Sequence, residues 1–397
     1  MSLSLMAHIA YVSADLGVPI FGTKGCSIHA QEILGAMVRQ GAVVDLFSTS
    51  LEGTPPVGLE TLRLHPLPRP PKGDPAQREQ GALANNEILT ARLNAQASCD
   101  FIYERYSLWS YAAMETAKQL GRPGLLEVNA PLIDEQAQYR VLVDRAAAMQ
   151  VAERAFAAAS AVLAVSDEVA AWVESFPAAK GKIHVVPNGI RPERFPAGLA
   201  PLQPGPPGIF TVGFVGTLKA WHGLSVLVDA FAQLHGRDPN TRLIIVGDGP
   251  EREKILAQLT ALGLAKAVVM TGAVAASEVP GWLASMDVAV APYPPLEHFY
   301  FSPLKVYEYM AAGLALVASD LGQLRKLIRS SVNGLLVTPG DAEGLAAALS
   351  DLKENPAKRA ALGREARATV LSNLTWDQVV SRIFQLAQCE LAPPQRV

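Results

Sequence analysis

Phe299-Tyr-Phe-Ser-Pro-Leu-Lys-Val-Tyr-Glu-Tyr-Met-Ala-Ala-Gly313 reads as a loop that becomes a helix and then stops. Ser302 suits the N-cap, and Pro303 suits the first helical position, where its missing N–H costs nothing. Gly313 is placed to end the helix as a C-cap residue, and residues 314–318 follow as an apolar run that reads as a buried strand. Such a helix start leaves the backbone N–H groups of Leu304 and Lys305 without intrahelical acceptors. With the positive end of the helix dipole they form a natural phosphate site. Lys305 adds a charge there, and Glu308, one turn further in, is spaced to accept hydrogen bonds from vicinal ribose hydroxyls. The same residues also suit an ordinary helix with a solvated Lys–Glu pair, and the stretch alone does not choose between the two.

The rest of the chain supplies the context. It has 397 residues, half of them hydrophobic and 18% charged, so it is long and apolar enough for two separately packed domains. The formal net charge is −3 and no long basic run occurs, which argues against a nucleic-acid partner. Cys26, Cys99 and Cys389 are far apart and odd in number, a pattern of neither a disulfide framework nor a zinc site. No group of residues has metal-ligand spacing, so no metal and no cofactor is expected. The N-terminus lacks the basic flank and cleavage site of a signal peptide. No uncharged apolar run reaches the roughly 18 residues of a membrane span. Residues 146–164 come nearest, but Glu153 and Arg154 interrupt them. A cytoplasmic protein is expected, with peripheral contact at the inner face of a membrane left open.

Strand and helix patterns alternate almost from end to end. Strands are predicted at 8–14, 43–48, 62–67, 101–106, 125–129, 161–165 and 183–186, and again at 211–215, 242–246, 268–272, 288–291, 314–318 and 334–337. Helical patterns include 28–40, 77–97, 133–159, 356–371 and 376–389. This alternation predicts βαβ units around mainly parallel sheets, whose ligands sit at the carboxyl ends of the strands. Residues 196–208 are rich in Pro and Gly and without periodicity, so they read as a linker. The predicted domains are therefore 1–195 and 209–374, with a final helical segment at 375–397.

Several strand ends carry polar or glycine-rich motifs. After the first strand, Gly17, Gly22 and Gly25 allow close backbone approach to a ligand, and His29 opens the next helix. Asn129 follows Leu126-Glu127-Val128, and Asn188 lies in Pro187-Asn-Gly-Ile190; either could be no more than a turn residue. Gly216-Thr-Leu-Lys219-Ala-Trp-His222-Gly223 is a strand end, a loop and a helix start. Val246-Gly247-Asp248-Gly249-Pro250 is another, but Arg252 stands where a dinucleotide fingerprint needs its third glycine, which argues against a nicotinamide cofactor. No paired carboxylates are placed for a glycosidase double displacement.

Taken together, the Ser302-Pro-Leu-Lys305 and Glu308-Tyr-Met-Ala-Ala-Gly313 run, the glycine loop with His29, Pro187-Asn-Gly189 and Gly247-Asp-Gly-Pro250 resemble family 4 of the retaining glycosyltransferases. That resemblance implies the GT-B fold: two Rossmann-like doubly wound parallel-sheet domains with an interdomain cleft, and a last helix crossing back to the first domain, anchored by Trp376 and Phe384. It implies metal-independent transfer of a sugar from a nucleoside diphosphate donor, with uracil or guanine as the base, to an unidentified acceptor that is a sugar, a lipid-linked sugar or a small molecule. On this reading Lys219, His222 and Lys305 meet the diphosphate, and Glu308 meets the ribose. Gly216, Gly247, Gly249 and Val274 approach the donor, and Tyr300, Phe301, Ser302, Pro303 and Leu304 line its site. Gly25 and Asn188 line the cleft, and His29 and Asn129 order the sugar and acceptor. The chain departs from the family pattern in three places. Thr217 and His222 stand where the family carries an arginine and a lysine, Tyr300 stands where it carries the first of two glutamates, and Lys24 replaces a loop glycine. A nucleotide-sugar 2-epimerase and a non-catalytic nucleotide-sugar-binding protein are the alternatives of the same architecture.

Overall fold

A computed structural model of the chain describes residues 7–70, 73–96, 98–297, 299–300 and 302–388. Two parallel sheets are formed. The first runs β3-β2-β1-β4-β5-β6-β7, from β1 (His8–Ser13), β2 (Val43–Ser48), β3 (Arg63–Pro66), β4 (Phe101–Arg105), β5 (Gly124–Val128), β6 (Ala161–Ala164) and β7 (Ile183–Val185). The second runs β10-β9-β8-β11-β12-β13, from β8 (Phe210–Val215), β9 (Thr241–Val246), β10 (Val268–Gly272), β11 (Val288–Ala291), β12 (Ala315–Ser319) and β13 (Leu335–Val337). The central strands read as unbroken apolar runs because parallel sheets are covered on both faces; β8 and β11 are buried along their whole length. Each predicted strand is present, with ends differing by a residue or two.

Chain contacts divide the molecule into two compact units. One comprises residues 1–188, 300–302 and 376–397, and the other residues 189–299 and 303–375. Residues 196–208, expected as a linker, therefore lie inside the second unit. They are tied there by Leu202 N donating to the Gly281 carbonyl (3.0 Å) and Arg242 Nη2 to that of Gln203 (2.6 Å).

In the first unit the two faces of the sheet are covered differently. Ala10, Val12, Ile102, Leu126 and Val128 face a core completed by the helices Ala112–Gln119 and Arg145–Ala158. On the opposite face lie Tyr11, Phe101 and Tyr103. There Phe384, from the late helix Trp376–Leu386, meets Phe101 edge-on at 5.7 Å. That helix also packs on Gly25–Arg39, and Arg39 Nη2 pairs with Asp377 at 2.7 Å. The helix ends at Leu386, short of the expected 389: residues 387–388 form a turn with Gln388 at φ 55°, and Cys389 lies outside the described residues. The pattern read as one helix over 133–159 is two, Leu132–Tyr139 and Arg145–Ala158. Neither Gly nor Pro marks the break. Asp144 caps the second helix by accepting from Ala147 N (2.8 Å), and Glu79 takes the N–H groups of Val143 (2.8 Å) and Asp144 (3.1 Å). The linking backbone thus finds acceptors outside a helix.

In the second unit, Leu224, Leu227, Val228, Phe231 and Leu234 form the buried face of the helix Leu224–Arg237 and pack on β8, β9 and the helix Ala342–Glu354. Burying each such side chain contributes roughly 1.5–3 kcal/mol.

Candidate functional site

In the second unit the site forms where β8 ends and the helix Leu304–Ala311 begins. Tyr309 joins the two: its hydroxyl accepts from Val215 N (2.8 Å) and donates to Val215 O (3.3 Å). The helix starts one residue later than the sequence predicts. Pro303 is extended (ψ 103°) and occupies the capping position without a side-chain cap bond. Ser302 belongs to the first unit, where its hydroxyl receives Asn188 N (3.4 Å) and its carbonyl receives Asn188 Nδ2 (2.7 Å). The C-terminal expectation holds: Gly313 has φ 72°, its N–H reaches Met310 O (3.0 Å) and that of Leu314 reaches Tyr309 O (3.2 Å).

Lys305 is the central group. Its stem is half-buried, but its ammonium nitrogen is inaccessible and has no hydrogen-bond partner among the described residues. It lies 4.4 Å from the Phe214 ring centroid and 5.4 Å from that of Tyr293. Burial pushes its pKa down to about 7. The ring faces attract the cation but supply less than hydration does, so proton loss becomes easy.

Glycine is required beneath it. A Cβ on Gly216 (φ 146°) would sit 3.0 Å from Lys305 Nζ, and one on Gly247 (φ 133°) would fall 2.1 Å from the Gly216 carbonyl oxygen. The loop ends of β8 and β9 therefore stack directly under the ammonium. Gly247 N donates to Gly272 O (2.9 Å), which draws in the end of β10 and, two residues on, Val274. Leu218 N donates to Asp248 O (2.9 Å), so the Gly247-Asp-Gly249 turn also holds the loop that carries Lys219 and His222.

His222 is anchored to its own loop. Its Nδ1 lies 2.6 Å from the Thr217 carbonyl, which can only accept, so Nδ1 carries a proton. Burial, then the nearby Lys305 and Lys219 charges, hold its pKa down to about 3. With no anion bound the ring is therefore neutral near pH 7, with Nδ1–H donating and Nε2 left as an acceptor. The charge at this corner comes from Lys305 and from Lys219, whose Nζ rests 4.6 Å from the Trp221 ring centroid.

Glu308 has a partner that sequence reading missed. Arg194, in the short 3₁₀ helix Pro192–Arg194, donates to Glu308 Oε1 (3.0 Å) and to the Ala276 carbonyl (2.9 Å). One guanidinium thus joins the carboxylate to the loop two residues beyond Val274. The available signal was physical: a glutamate on a half-buried helix face needs a compensating charge.

In the first unit the His29 side chain turns inward. It is buried, with Nε2 2.8 Å from Glu127 Oε1 and its ring edge-on to Trp376 at 5.1 Å. Asn129 Nδ2 donates to the other Glu127 oxygen (2.9 Å), and Arg105 Nη1 lies 3.6 Å from it. Burial alone would raise the Glu127 pKa, but His29, Arg105 and Asn129 together hold it down to about 2. His29 and Asn129 therefore meet at one buried carboxylate. Gly25 begins the helix that carries His29. Tyr300, expected at the donor, belongs to the first unit; its hydroxyl donates to Glu135 Oε2 (3.2 Å) and its carbonyl accepts from Ser166 (2.9 Å). Phe301 lies outside the described residues. Among the described residues no group of His, Cys, Asp and Glu is arranged to hold a metal ion.

A family model described as Glycosyltransferase Family 4 matches residues 23–194, and one described as Glycosyl transferases group 1 matches residues 209–355. Between them they span most of both sheets. The chain belongs to the family 4 glycosyltransferases. This glycosyltransferase-family chain has the GT-B fold. It is 28% identical over 222 residues to a glycogen synthase of Mycobacterium tuberculosis, a match covering 56% of this chain and 51% of the relative. The matched region thus spans about half the length of that relative. It is 24% identical to a D-inositol 3-phosphate glycosyltransferase of Nocardiopsis dassonvillei, over 98% of this chain and 95% of the relative. Among solved structures it is similar to Anabaena HepE in complex with UDP-glucose, with a TM-score of 0.69, 20% identity, and coverage of 96% and 99% of the two chains.

Proposed function

We propose that this family 4 chain is a retaining glycosyltransferase that moves a sugar from a nucleoside diphosphate donor to an acceptor hydroxyl without a metal ion. The observation that carries the reading is the Lys305 ammonium, buried among Phe214 and Tyr293 with no anion beside it among the described residues. A diphosphate is the group that would complete it. The bond from the anomeric carbon to the β-phosphate oxygen breaks, the electron pair leaves on the diphosphate, and the acceptor oxygen forms the new glycosidic bond as it gives up its proton to the departing diphosphate oxygen. The negative charge gathering on the leaving group would fall between Lys305, Lys219 and the N–H groups of Leu304 and Lys305. Glu308, aligned by Arg194, would take the ribose hydroxyls, and the Val274 loop the base. HepE, named with UDP-glucose bound, supports a nucleotide-sugar donor.

His29 and Asn129, joined by Glu127, are proposed to order the sugar and acceptor side in the first unit. No helix among the described residues is long and apolar enough to cross a membrane. A cytoplasmic enzyme, with peripheral membrane contact where its acceptor requires it, accords with the chain's composition. Calorimetry with uridine and guanosine diphosphates tests the donor site: one of them binds, and Lys305→Ala removes most of that affinity. If neither nucleotide binds, the reading is wrong.

A further inference from the structure

The first unit contains a cavity of about 500 Å³ at the carboxyl ends of β1 and β4, walled by the helix Pro75–Ala95 and by residues 132–141. Its polar wall residues are largely turned to their own backbone. Asn86 accepts from Tyr111 N and Ala112 N (both 3.0 Å) and donates to the carbonyls of Leu83 (2.9 Å) and Trp109 (2.8 Å). Asn85 donates to Pro68 O (2.8 Å), Gln136 to Val141 O (2.8 Å) and Ser107 to Arg105 O (3.2 Å), while Ser110 donates to Glu104.

The wall carboxylates are engaged as well. Glu79 takes two backbone N–H groups, Glu135 takes the Tyr300 hydroxyl, and Asp15 takes Gly17 N (2.7 Å). Two wall groups differ: the guanidinium groups of Arg78 and Arg140 have no hydrogen-bond or ion-pair partner among the described residues.

The remaining wall is apolar. Leu67, Leu89, Leu108, Trp109 and Leu132 line the cavity. Large apolar side chains are exposed at and beside the mouth: Leu16 at 40%, Val141 at 57%, Tyr139 at 57% and Val143 at 54%. A polyol needs many open hydrogen-bonding groups, and this wall keeps few. It offers instead aliphatic surface and two solvent-exposed guanidinium groups not engaged by the protein, which complement an amphiphile.

We infer that this cavity takes an acceptor built on an alkyl chain with an anionic group, the chain along the leucines and the anion at Arg78 and Arg140. Calling the ligand an acceptor rests on the transferase reading; the binding chemistry does not.

The test uses the full chain and three probes in calorimetry: decyl phosphate below its micellar concentration, inorganic phosphate and decyl glucoside. Decyl phosphate is expected to bind at least about ten-fold more tightly than either of the others, a difference of about 1.4 kcal/mol. The Arg78→Gln/Arg140→Gln double variant and, separately, Val141→Asp should each weaken it about ten-fold or more. Equal binding of decyl glucoside would mean a purely apolar sink, and equal binding of inorganic phosphate a free-anion site; either overturns the inference. So does an unchanged affinity in the double variant or, should that variant not fold, in Val141→Asp. If the wild-type chain binds decyl phosphate but neither uridine nor guanosine diphosphate, the donor reading falls and this one stands.

Discussion

Replacing Lys305 with methionine should stabilise the free protein while removing its grip on a diphosphate. The ammonium is buried with a pKa lowered from 10.5 to about 7. At about 1.4 kcal/mol per pKa unit, keeping it charged costs at most about 5 kcal/mol; relaxation of the surroundings should reduce the measured figure to roughly 1–3 kcal/mol. Methionine fills the same volume against Phe214 and Tyr293 and carries no charge. The sign follows from proton counting. In the unfolded chain Lys305 stays protonated to about pH 10, whereas in the folded chain it loses its proton near pH 7, so between these limits the unfolded state binds more protons. Wild-type stability should therefore rise from pH 7 to pH 10, and the advantage of Lys305→Met should be largest at or below pH 7 and fade across that window. Urea unfolding of both proteins at pH 7 and pH 9, following the transition of the second unit, measures it. Nucleotide binding supplies a second readout: a diphosphate should restore the proton, so wild type should take up most of one proton on binding at pH 8. Calorimetry in two buffers of different ionisation enthalpy detects this. If Lys305→Met is less stable than wild type at pH 7, or binding takes up no proton, the ammonium is not held as described.

Three further outcomes are expected. Glu308→Gln should weaken uridine or guanosine diphosphate binding by about ten-fold and Arg194→Gln by a similar factor, with a melting change corresponding to roughly 1–3 kcal/mol, and inorganic pyrophosphate binding should not change in either variant. Equal losses for nucleotide and pyrophosphate would show that Arg194 and Glu308 do not act on the nucleoside. Gly247→Ala should destabilise the second unit by more than about 1 kcal/mol, read as a lower urea midpoint, because its Cβ would meet the Gly216 carbonyl oxygen at 2.1 Å with φ at 133°. Asp45 is buried between His8 and His65 (2.6 Å to the latter); burial would raise its pKa, but the two histidines lower it. That contribution is present above the unfolded value of about 3.9 and lost as pH falls below it, so Asp45→Asn should flatten the loss of stability below pH 4 in acid titration followed by circular dichroism.

The sheets were legible because strands buried on both faces leave apolar runs with glycine or proline at their ends, as in residues 242–250. The break at 140–144 was not, because it is made by Glu79, more than sixty residues earlier in the chain. At the site, the type and spacing of Lys305, Glu308, Gly216 and Gly247 pointed to phosphate and ribose chemistry. The state of those groups did not follow from spacing. Lys305 loses its hydration to Phe214 and Tyr293, Glu308 meets Arg194, and His29 faces Glu127, each a contact between distant segments. His222 shows the difference most clearly: its place in a loop does not reveal that Nδ1 donates to the Thr217 carbonyl or that burial holds the ring's pKa down.

The late helix Trp376–Leu386 completes the face of the first sheet that holds Phe101 and His29. During synthesis on a ribosome, the first unit cannot close until the second has already been made. The nascent chain must hold Phe101, Tyr103 and a charged Glu127 beside an uncovered surface for the time needed to add nearly two hundred residues. Truncations that remove Trp376–Leu386 should therefore act on the first unit, yielding aggregation-prone chains rather than a folded half.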